Sequence, residues 1–313
     1  MLTFLTWQTA RNRHTIPPHY CNAARGGKHM ASLVVYHGHC PDGFGAAYAA
    51  WLHLGESAEY VPAEYGSYPV LNVTGLDVYI LDYSFPRPML QAMKDVARSL
   101  VVLDHHKTAQ ADLEGFPGAF FDMEKCGARL AWEYFHPDQP APRLIDFIED
   151  RDIWRWRDPV SADFLAYLDT RPFEFSVWHE LATLDAARLD EILQVGRHMN
   201  RKYDSLAQIM AQSAEPVRLS GVQGHKLNCA SLFTSRVGEL LYRQNGTFAM
   251  LWRIEGGQLY VSLRARNGTI DVAEMASLFG GGGHEAAAGF RIPLNNPACD
   301  YFIARYIKGA GEA

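Results

Sequence analysis

The sequence has little cysteine, no long hydrophobic run and no excess of positive charge. Its five cysteines are odd in number, scattered and without CxxC spacing. This pattern excludes a disulfide framework and a zinc ribbon, and it indicates a reduced, cytoplasmic protein. No apolar run is long enough to span a bilayer, so no membrane partner is expected. A formal net charge of −6 argues against broad adhesion to duplex nucleic acid.

The first 29 residues lack any acidic side chain and any sustained periodicity. We expect residues 1–29 to be a flexible basic extension. The alternatives are that Met30 is the true start or that this segment is a targeting peptide. The rest of the chain is predicted to divide into three parts, namely a first domain, a helical linker and a second domain, at residues 30–160, 161–214 and 215–313.

Metal-competent side chains follow the ends of three predicted strands. Val101–Leu103 is a short apolar strand that leads into Asp104, His105 and His106. The strand at Val78–Leu81 is followed by Asp82, and the strand at Leu33–Tyr36 by His37 and Asp42. Helical stretches separate these strands, which predicts right-handed crossovers and a doubly wound, mainly parallel sheet. Since ligands bind beyond the carboxyl ends of such strands, these residues are expected to converge.

The acidic stretch from Glu149 to Asp152 closes a predicted helix that begins at Arg143. Acidic residues at a helix C-terminus oppose the macrodipole, so a compensating cation is expected there. Neighbouring arginines at surface ion pairs are one explanation, and a metal ion is the other. Asp150 and Asp152 are both candidate ligands, with a slight preference for Asp150 because it lies nearer the helix end.

The chain beyond Pro216 is rich in strands and turns, with hairpin signals at Asn245–Gly246 and Gly256–Gly257. Four glycines, Gly280–Gly283, then precede His284 and an alanine-rich, helix-forming run. Free backbone N–H groups before a helix suit an anion, although no Lys-Ser/Thr follows as in a P-loop. With Arg264 and Arg266 on the preceding strand, this region is predicted to bind phosphate.

Taken together, these motifs resemble the DHH phosphoesterase superfamily, which is named for the triplet seen here as Asp104-His105-His106. The C-terminal part is similar to the family's DHHA1-type domain, whose glycine-rich signature matches Gly280–His284. The resemblance covers roughly residues 31–305. It implies an α/β fold in which the doubly wound DHH domain is joined by a helical linker to a smaller α/β DHH-associated domain.

The resemblance also implies a two-metal site, usually manganese, with Co²⁺, Fe²⁺ or Mg²⁺ as alternatives. Asp82 would bridge the metals, and His106 would contact phosphate or polarise the leaving group. The first motif departs from the family pattern, because Cys40 and Phe44 stand where many members carry an additional Asp. The implied catalytic and metal-binding residues are His37, Asp42, Asp82, Asp104, His105, His106 and either Asp150 or Asp152. The implied substrate-binding residues are Arg264, Gly281, Gly282, Gly283 and His284, with Asn228 and Arg236 as weaker candidates.

Three functions are therefore considered. The first is a metal-dependent phosphoesterase acting on short oligonucleotides, cyclic or linear dinucleotides or nucleoside bisphosphates, with Phe279, Trp154 or Trp156 stacking a base. The second is an exopolyphosphatase or pyrophosphatase, and the third is a nucleotide-binding module without catalysis. No helix-turn-helix, zinc finger or RNA-binding motif occurs, so no sequence-specific nucleic acid partner is expected. The sequence does not define an oligomeric state.

Overall fold

The computed structural model describes residues 31–66 and 68–309. The expected basic extension at residues 1–29 lies outside this range. A fully parallel sheet forms the first half of the chain, with strand order β2-β1-β3-β4-β5. Its strands are β1 (Ser32–His37), β2 (Ala58–Ala63), β3 (Asp77–Leu81), β4 (Ser99–Asp104) and β5 (Ala119–Phe121). The expected α/β class with a parallel sheet is confirmed.

Helices cover both faces of this sheet. Leu33 and Val35 of β1 face one apolar core, whereas Val34 and Tyr36 face the other. Strands buried on both faces explain the near-continuous apolar runs that made β1, β3 and β4 recognisable in the sequence. The helices are α1 (Pro41–Leu54), α2 (Arg87–Lys94), α3 (Lys107–Asp112), α4 (Gly127–Phe135) and α5 (Arg143–Asp152).

The segment expected to be a linker is helical, but it is not separate from the domains. It contains α6 (Ser161–Leu168), α7 (Phe175–Ala182) and α8 (Ala186–Ala211). Side chains of α6, α7 and the first half of α8 belong to the core around α1, whereas Ala207 near the end of α8 packs in a core of the second domain. We therefore propose that the two domains divide within α8.

The second sheet has six strands in the order β10-β11-β9-β8-β7-β6. Only the β7–β8 pair is parallel among its described pairs, and α9 makes the crossover between those two strands. The strands are β6 (Glu215–Leu219), β7 (Val222–Asn228), β8 (Phe248–Glu255), β9 (Gln258–Ala265), β10 (Gly282–His284) and β11 (Ala287–Pro293). The helices are α9 (Thr234–Asn245), α10 (Val272–Ser277) and α11 (Pro297–Phe302).

Two local expectations about this second half are wrong. Asn245–Gly246 ends α9, with Gly246 in the left-handed region at φ 73°, and does not form a hairpin. Asn-Gly suits both a two-residue hairpin and a helix C-terminus, so the sequence signal was ambiguous. The run after Gly283 is not helical, because it forms the short hairpin of β10 and β11. The hairpin predicted at Gly256–Gly257 is confirmed between β8 and β9.

Short 3₁₀ turns at Gly55–Ser57 and Ser231–Phe233 and a π-helical turn at Ile303–Ile307 complete the described elements. Within residues 31–66 and 68–309, no helix is both long and apolar enough to cross a membrane.

Candidate metal centre and substrate cleft

The polar residues predicted at the strand ends meet at the topological switch point of the first sheet. Strand β1 lies between β2 and β3, so the chain leaves it in opposite directions and opens a crevice at the carboxyl ends of β1 and β3. His37 ends β1, Asp82 directly follows β3, and Asp104 ends β4. The parallel order of the strands therefore brings together residues that are far apart in the sequence.

His105 lies at the centre of this cluster and is 2% exposed. Its Nε2 atom is 3.2 Å from Asp82 Oδ1 and 3.4 Å from Asp42 Oδ2. The same nitrogen is 3.3 Å from Asp152 Oδ2 at the end of α5. Three carboxylates thus converge on one buried point.

The N-terminus of α4 holds Asp42 in place. The backbone N–H groups of Gly127 and Ala128 donate to the two carboxylate oxygens of Asp42, each at 2.7 Å. The helix N-terminus can lie this close to the cluster only because residue 127 is glycine, since a Cβ atom there would lie 2.4 Å from the Cβ atom of Asp82. The sequence indicated a helix start at this point but gave no sign that backbone N–H groups of the helix would bind the carboxylate of Asp42.

Asp82 is held in a conformation that points one carboxylate oxygen into the cluster. Its backbone has φ 53°, in the left-handed region that non-glycine residues rarely adopt. Its Oδ2 atom is 3.3 Å from His37 Nδ1. Its Oδ1 atom is buried and has no hydrogen-bond partner of good geometry among the described residues, although His105 Nε2 is 3.2 Å away.

Crowding of carboxylates shifts the pKa values of two aspartates in the cluster. Burial and the neighbouring Asp82 raise the pKa of Asp42, and burial together with Asp42 raises that of Asp152 to about 7. Burial alone would lower the pKa of His105, but the close carboxylates of Asp42 and Asp82 hold it at about 12. In this arrangement a protonated imidazole is the cation that balances the carboxylates.

The donor set therefore fits divalent metal ions. One group of potential ligands is His37, Cys40 and Asp82, and another is Asp42, His105 and Asp152. The ligand atoms within each group lie within 4.8 Å of one another. The unpaired Asp82 Oδ1 lies beside the second group, where a cation would satisfy an oxygen that the protein leaves without a hydrogen bond. Asp82 thus belongs to the first group and lies directly beside the second.

Asp104 makes contacts different from those of the other carboxylates. Its Oδ1 accepts hydrogen bonds from the backbone N–H groups of His105 and His106 and contacts His106 Nδ1 at 2.7 Å. Its Oδ2 accepts a 2.7 Å hydrogen bond from Ser84. Asp104 has no exposed surface, and besides contacting the two histidines it forms a further group of potential metal ligands with Asp82 and His106. Tyr65, which the sequence did not indicate, has its hydroxyl 3.4 Å from His106 Nδ1.

Only one of the two acidic candidates on α5 lies in the cluster. Asp150 accepts hydrogen bonds from the backbone N–H groups of Arg157 and Asp158 and from Ser161 Oγ, at 3.1, 2.8 and 2.5 Å. Its carboxylate thus closes the turn after α5. Asp152 contacts His105 instead, so the slight preference for Asp150 is corrected. Residues two positions apart point to roughly opposite sides of a helix, so Asp150 and Asp152 cannot both face His105. Distance from the helix end alone does not show which of them does.

The second domain contributes His284 to the cluster. Its ring centroid is 5.1 Å from that of His105 and 4.9 Å from that of His106, and the latter pair is stacked. Burial and the neighbouring His106 lower the pKa of His284 to about 4. A neutral imidazole is therefore the form of His284 in this arrangement at neutral pH.

The sheet register places Arg264 on the same face as His284. His284 pairs with Ala287, and Ala287 pairs with Arg264, so the three residues form one cross-strand row with a small side chain between the two polar ones. Arg264 donates to the Leu263 carbonyl at 2.9 Å, and it has no ion-pair partner among the described residues. Burial lowers its pKa to about 10. An unpaired, partly buried guanidinium is a suitable anion-binding group.

Two of the four N–H groups in the glycine run are already bonded within the second domain. The N–H groups of Gly280 and Gly281 donate to the carbonyls of Ser277 and Ala276 at the end of α10. The absent side chain matters at Gly282, where a Cβ atom would lie 2.9 Å from Thr108 Cγ2 of the first domain. These glycines therefore permit close contact between the domains and bring His284 to the cluster.

The remaining substrate-binding candidates are engaged elsewhere. Arg236 pairs with Asp204 and Glu239, and Asn228 donates to the Trp252 carbonyl. Of the aromatic candidates for base stacking, Phe279 stacks on Phe290 at the core of the second domain. Trp156 packs against the first core, and Trp154 packs edge-on against Trp156. Tyr65, 44% exposed beside His37, is better placed to meet a substrate.

Comparisons with known proteins find a family match for the second domain and relatives that align with most of the chain. Residues 233–306 match the DHHA1 domain family. An uncharacterised protein, R106, of Acanthamoeba polyphaga mimivirus is 31% identical over 287 residues, which cover 84% of this chain and 68% of that protein. Oligoribonuclease NrnB of Bacillus subtilis is 24% identical over 227 residues, covering 66% of this chain and 56% of NrnB.

Among solved structures, an exopolyphosphatase-related protein from Bacteroides fragilis aligns over 88% of this chain and 91% of its own, with 14% identity and a TM-score of 0.49. The sequence relatives and the DHHA1 match agree with the DHH triplet at the end of β4. The chain belongs to the DHH phosphoesterase superfamily and carries a C-terminal DHHA1 domain.

Proposed function

We propose that the protein is a metal-dependent phosphoesterase that hydrolyses phosphodiester or phosphomonoester bonds of small nucleotides. The observation that carries this proposal is the convergence of Asp42, Asp82 and Asp152 on His105 Nε2. Carboxylates that converge on one buried imidazole need a cation, and a site of this kind beyond parallel strand ends suits phosphate chemistry. The superfamily membership supports hydrolase activity.

Two divalent ions would be held by the two groups of ligands. Asp42, His105 and Asp152 would hold one ion, and the group containing His37 would hold the other, with Asp82 between them. When bound, such ions polarise phosphoryl oxygens and lower the pKa of water. Mn²⁺ is the ion we propose for the carboxylate-rich group, since oxygen and imidazole ligands suit it.

The protein's own residues would orient the substrate against this centre. His106 is fixed by Asp104 at 2.7 Å, and its ring stacks on that of His284. These two imidazoles, one from each domain, would contact the phosphoryl group that is cleaved. Arg264, in the same cross-strand row as His284, would bind a second phosphate or the terminal charge of the substrate.

Small substrates are favoured by the way the two domains meet. Lys107 of α3 pairs with Asp271 of the second domain at 2.9 Å, and Gly282 lies against Thr108. These contacts close one side of the cleft next to His105. A nucleotide rather than a bare phosphate chain is supported by the exposed ring of Tyr65 beside His37 and by the similarity to a protein named an oligoribonuclease.

The test is hydrolysis by the metal-stripped full chain, with and without added Mn²⁺. The substrates would be a linear dinucleotide, a cyclic dinucleotide, a nucleoside bisphosphate and polyphosphate. We expect Mn²⁺-dependent turnover of a nucleotide substrate and its loss in Asp152→Asn. Preference for polyphosphate would favour a phosphoanhydride hydrolase. Nucleotide binding without turnover on any substrate would contradict the enzyme assignment.

A further inference from the structure

One residue of the cluster is chemically unlike the others. Cys40 precedes α1 and occupies its N-cap position, yet its side chain makes no capping hydrogen bond. It is a free cysteine and is partly buried. Its Sγ atom lies within 4.8 Å of potential ligand atoms of both His37 and Asp82. The side chain therefore faces the centre.

A second observation shows that this position faces a place for a cation. Asp82 is 1% exposed, and its Oδ1 atom has no hydrogen-bond partner among the described residues. The backbone of Asp82 is kept at φ 53° while it presents this oxygen. The Oδ1 atom lies beside His105, whereas Oδ2 is 3.3 Å from His37 Nδ1. A strained, buried carboxylate between these two histidines and next to a thiol fits a metal ion better than a packing contact.

The chemistry of sulfur explains what Cys40 would add to this group. A bound divalent cation stabilises the thiolate form of a coordinating cysteine, as in other metal–cysteine sites.

We propose that Cys40 is a thiolate ligand, which with His37 and Asp82 gives one half of the metal centre a preference for a thiophilic ion such as Zn²⁺ over Mn²⁺ or Mg²⁺. This inference rests on the metal-dependent function proposed above. A sulfur, nitrogen and oxygen set of three protein ligands with an open fourth position is typical of zinc in catalytic sites. The other half, with two carboxylates and one imidazole, remains suited to Mn²⁺. The two halves therefore differ in the ions they select.

The experiment uses Co²⁺ as a spectroscopic probe for the full-length, metal-stripped protein under anaerobic conditions. A thiolate bound to Co²⁺ gives an intense sulfur-to-metal charge-transfer band in the near ultraviolet, whereas oxygen and imidazole ligands give none. We expect this band in the wild-type protein. Cys40→Ala and Cys40→Asp should lose it. Cys229→Ala is the matched control, because Cys229 is a buried thiol in a core of the second domain, and it should keep the band.

Competition between Zn²⁺ and Mn²⁺ gives a second measurement. Cys40→Asp replaces sulfur by oxygen, so it should shift the ratio of the two affinities toward Mn²⁺ by at least about tenfold, the smallest effect seen when even a residue supporting a ligand is lost. An unchanged ratio would overturn the inference.

The outcomes separate this inference from the proposed function. Two Co²⁺ ions bound by the wild-type protein without a thiolate band would refute ligation by Cys40 and leave the metal-dependent function intact. Failure of Co²⁺, Zn²⁺ and Mn²⁺ to bind at all would refute both. If the Cys40 variants do not fold, Cys126→Ala decides the question, because Cys126 is the other free thiol beside Asp42; this variant should keep the band, and its loss there would overturn the inference.

Discussion

The sharpest test of the candidate centre compares the same substitution at two positions on α5. Asp152→Asn changes a carboxylate that faces His105, whereas Asp150→Asn changes one that closes the turn after the helix. The two residues lie two positions apart and have the same chemistry. A role in metal binding and a role in stability should therefore separate cleanly between the two variants.

The expected magnitudes follow from the contacts of each carboxylate. Asp150 accepts three hydrogen bonds through two oxygens, and an amide has only one oxygen to offer. At least one buried donor then loses its partner, which costs about 1–3 kcal/mol. At roughly 2–4 °C per kcal/mol, Asp150→Asn should lower Tm by about 2–12 °C. Its metal-induced increase in Tm should be retained.

Asp152→Asn should have the opposite effect on stability, because it should not lower the Tm of the metal-free protein. The pKa of Asp152 is raised to about 7 in the folded state by burial and by Asp42. An acid with a raised folded pKa favours folding below its unfolded pKa, and this contribution is lost as the pH rises through the folded pKa. At pH 8 the ionised carboxylate is therefore a cost, so the variant should be as stable as the wild type or more stable.

The assay is thermal unfolding at pH 8 in chelator and in Mn²⁺, paired with hydrolysis of a dinucleotide. At a Mn²⁺ concentration of about 100 times Kd, binding stabilises the wild type by about 2.7 kcal/mol, which is a Tm increase of about 5–11 °C. Asp152→Asn should lose most of this increase and lower kcat/KM by about 100-fold or more. If it retained both the Mn²⁺-induced increase and the activity, Asp152 would not be a ligand.

Three further substitutions test other parts of the centre. Gly127→Ala should weaken Mn²⁺ binding and cost about 1–3 kcal/mol of stability, because the new methyl group would displace Asp82; unchanged Mn²⁺ affinity by calorimetry would contradict this. His284→Ala should reduce kcat/KM by about 10–100-fold through weaker substrate binding while Mn²⁺ affinity stays the same, and steady-state kinetics with metal titration would expose any other pattern. Tyr65→Phe keeps the ring but removes the hydroxyl beside His106, so we expect a decrease in kcat, with KM for a dinucleotide little changed; a purely structural role would instead lower Tm and leave kcat alone.

The main architecture of the first domain was predictable because its central strands are buried on both faces. The strands β1, β3 and β4 are short apolar runs, and each is followed directly by a polar side chain that the structure brings to one edge. The edge strand β2 was missed because it is not buried on both faces. In β2, Ala58–Ala63, only the first and last residues are buried, so no apolar run marks it.

The site was predictable at the level of residue types but less so at the level of contacts. The spacing of His37, Asp82 and the DHH triplet indicated a metal centre, since strand ends converge in any parallel sheet. The N–H groups of α4 that bind Asp42 carry no side-chain signal, and Tyr65 lies in a loop without a motif. Backbone donors and loop aromatics enter a site through the tertiary fold alone.

The glycine run shows how one sequence signal can have two physical meanings. Glycine lets backbone N–H groups reach an anion, and it also lets two surfaces approach without a side chain between them. Here the N–H groups of Gly280 and Gly281 are already bonded within the second domain, so the first meaning does not apply to them. The contact of Gly282 with Thr108 supports the second. Because β10 starts at this contact and ends at His284, the glycine that lets the domains touch is also what allows an imidazole of the second domain to reach His105 and His106.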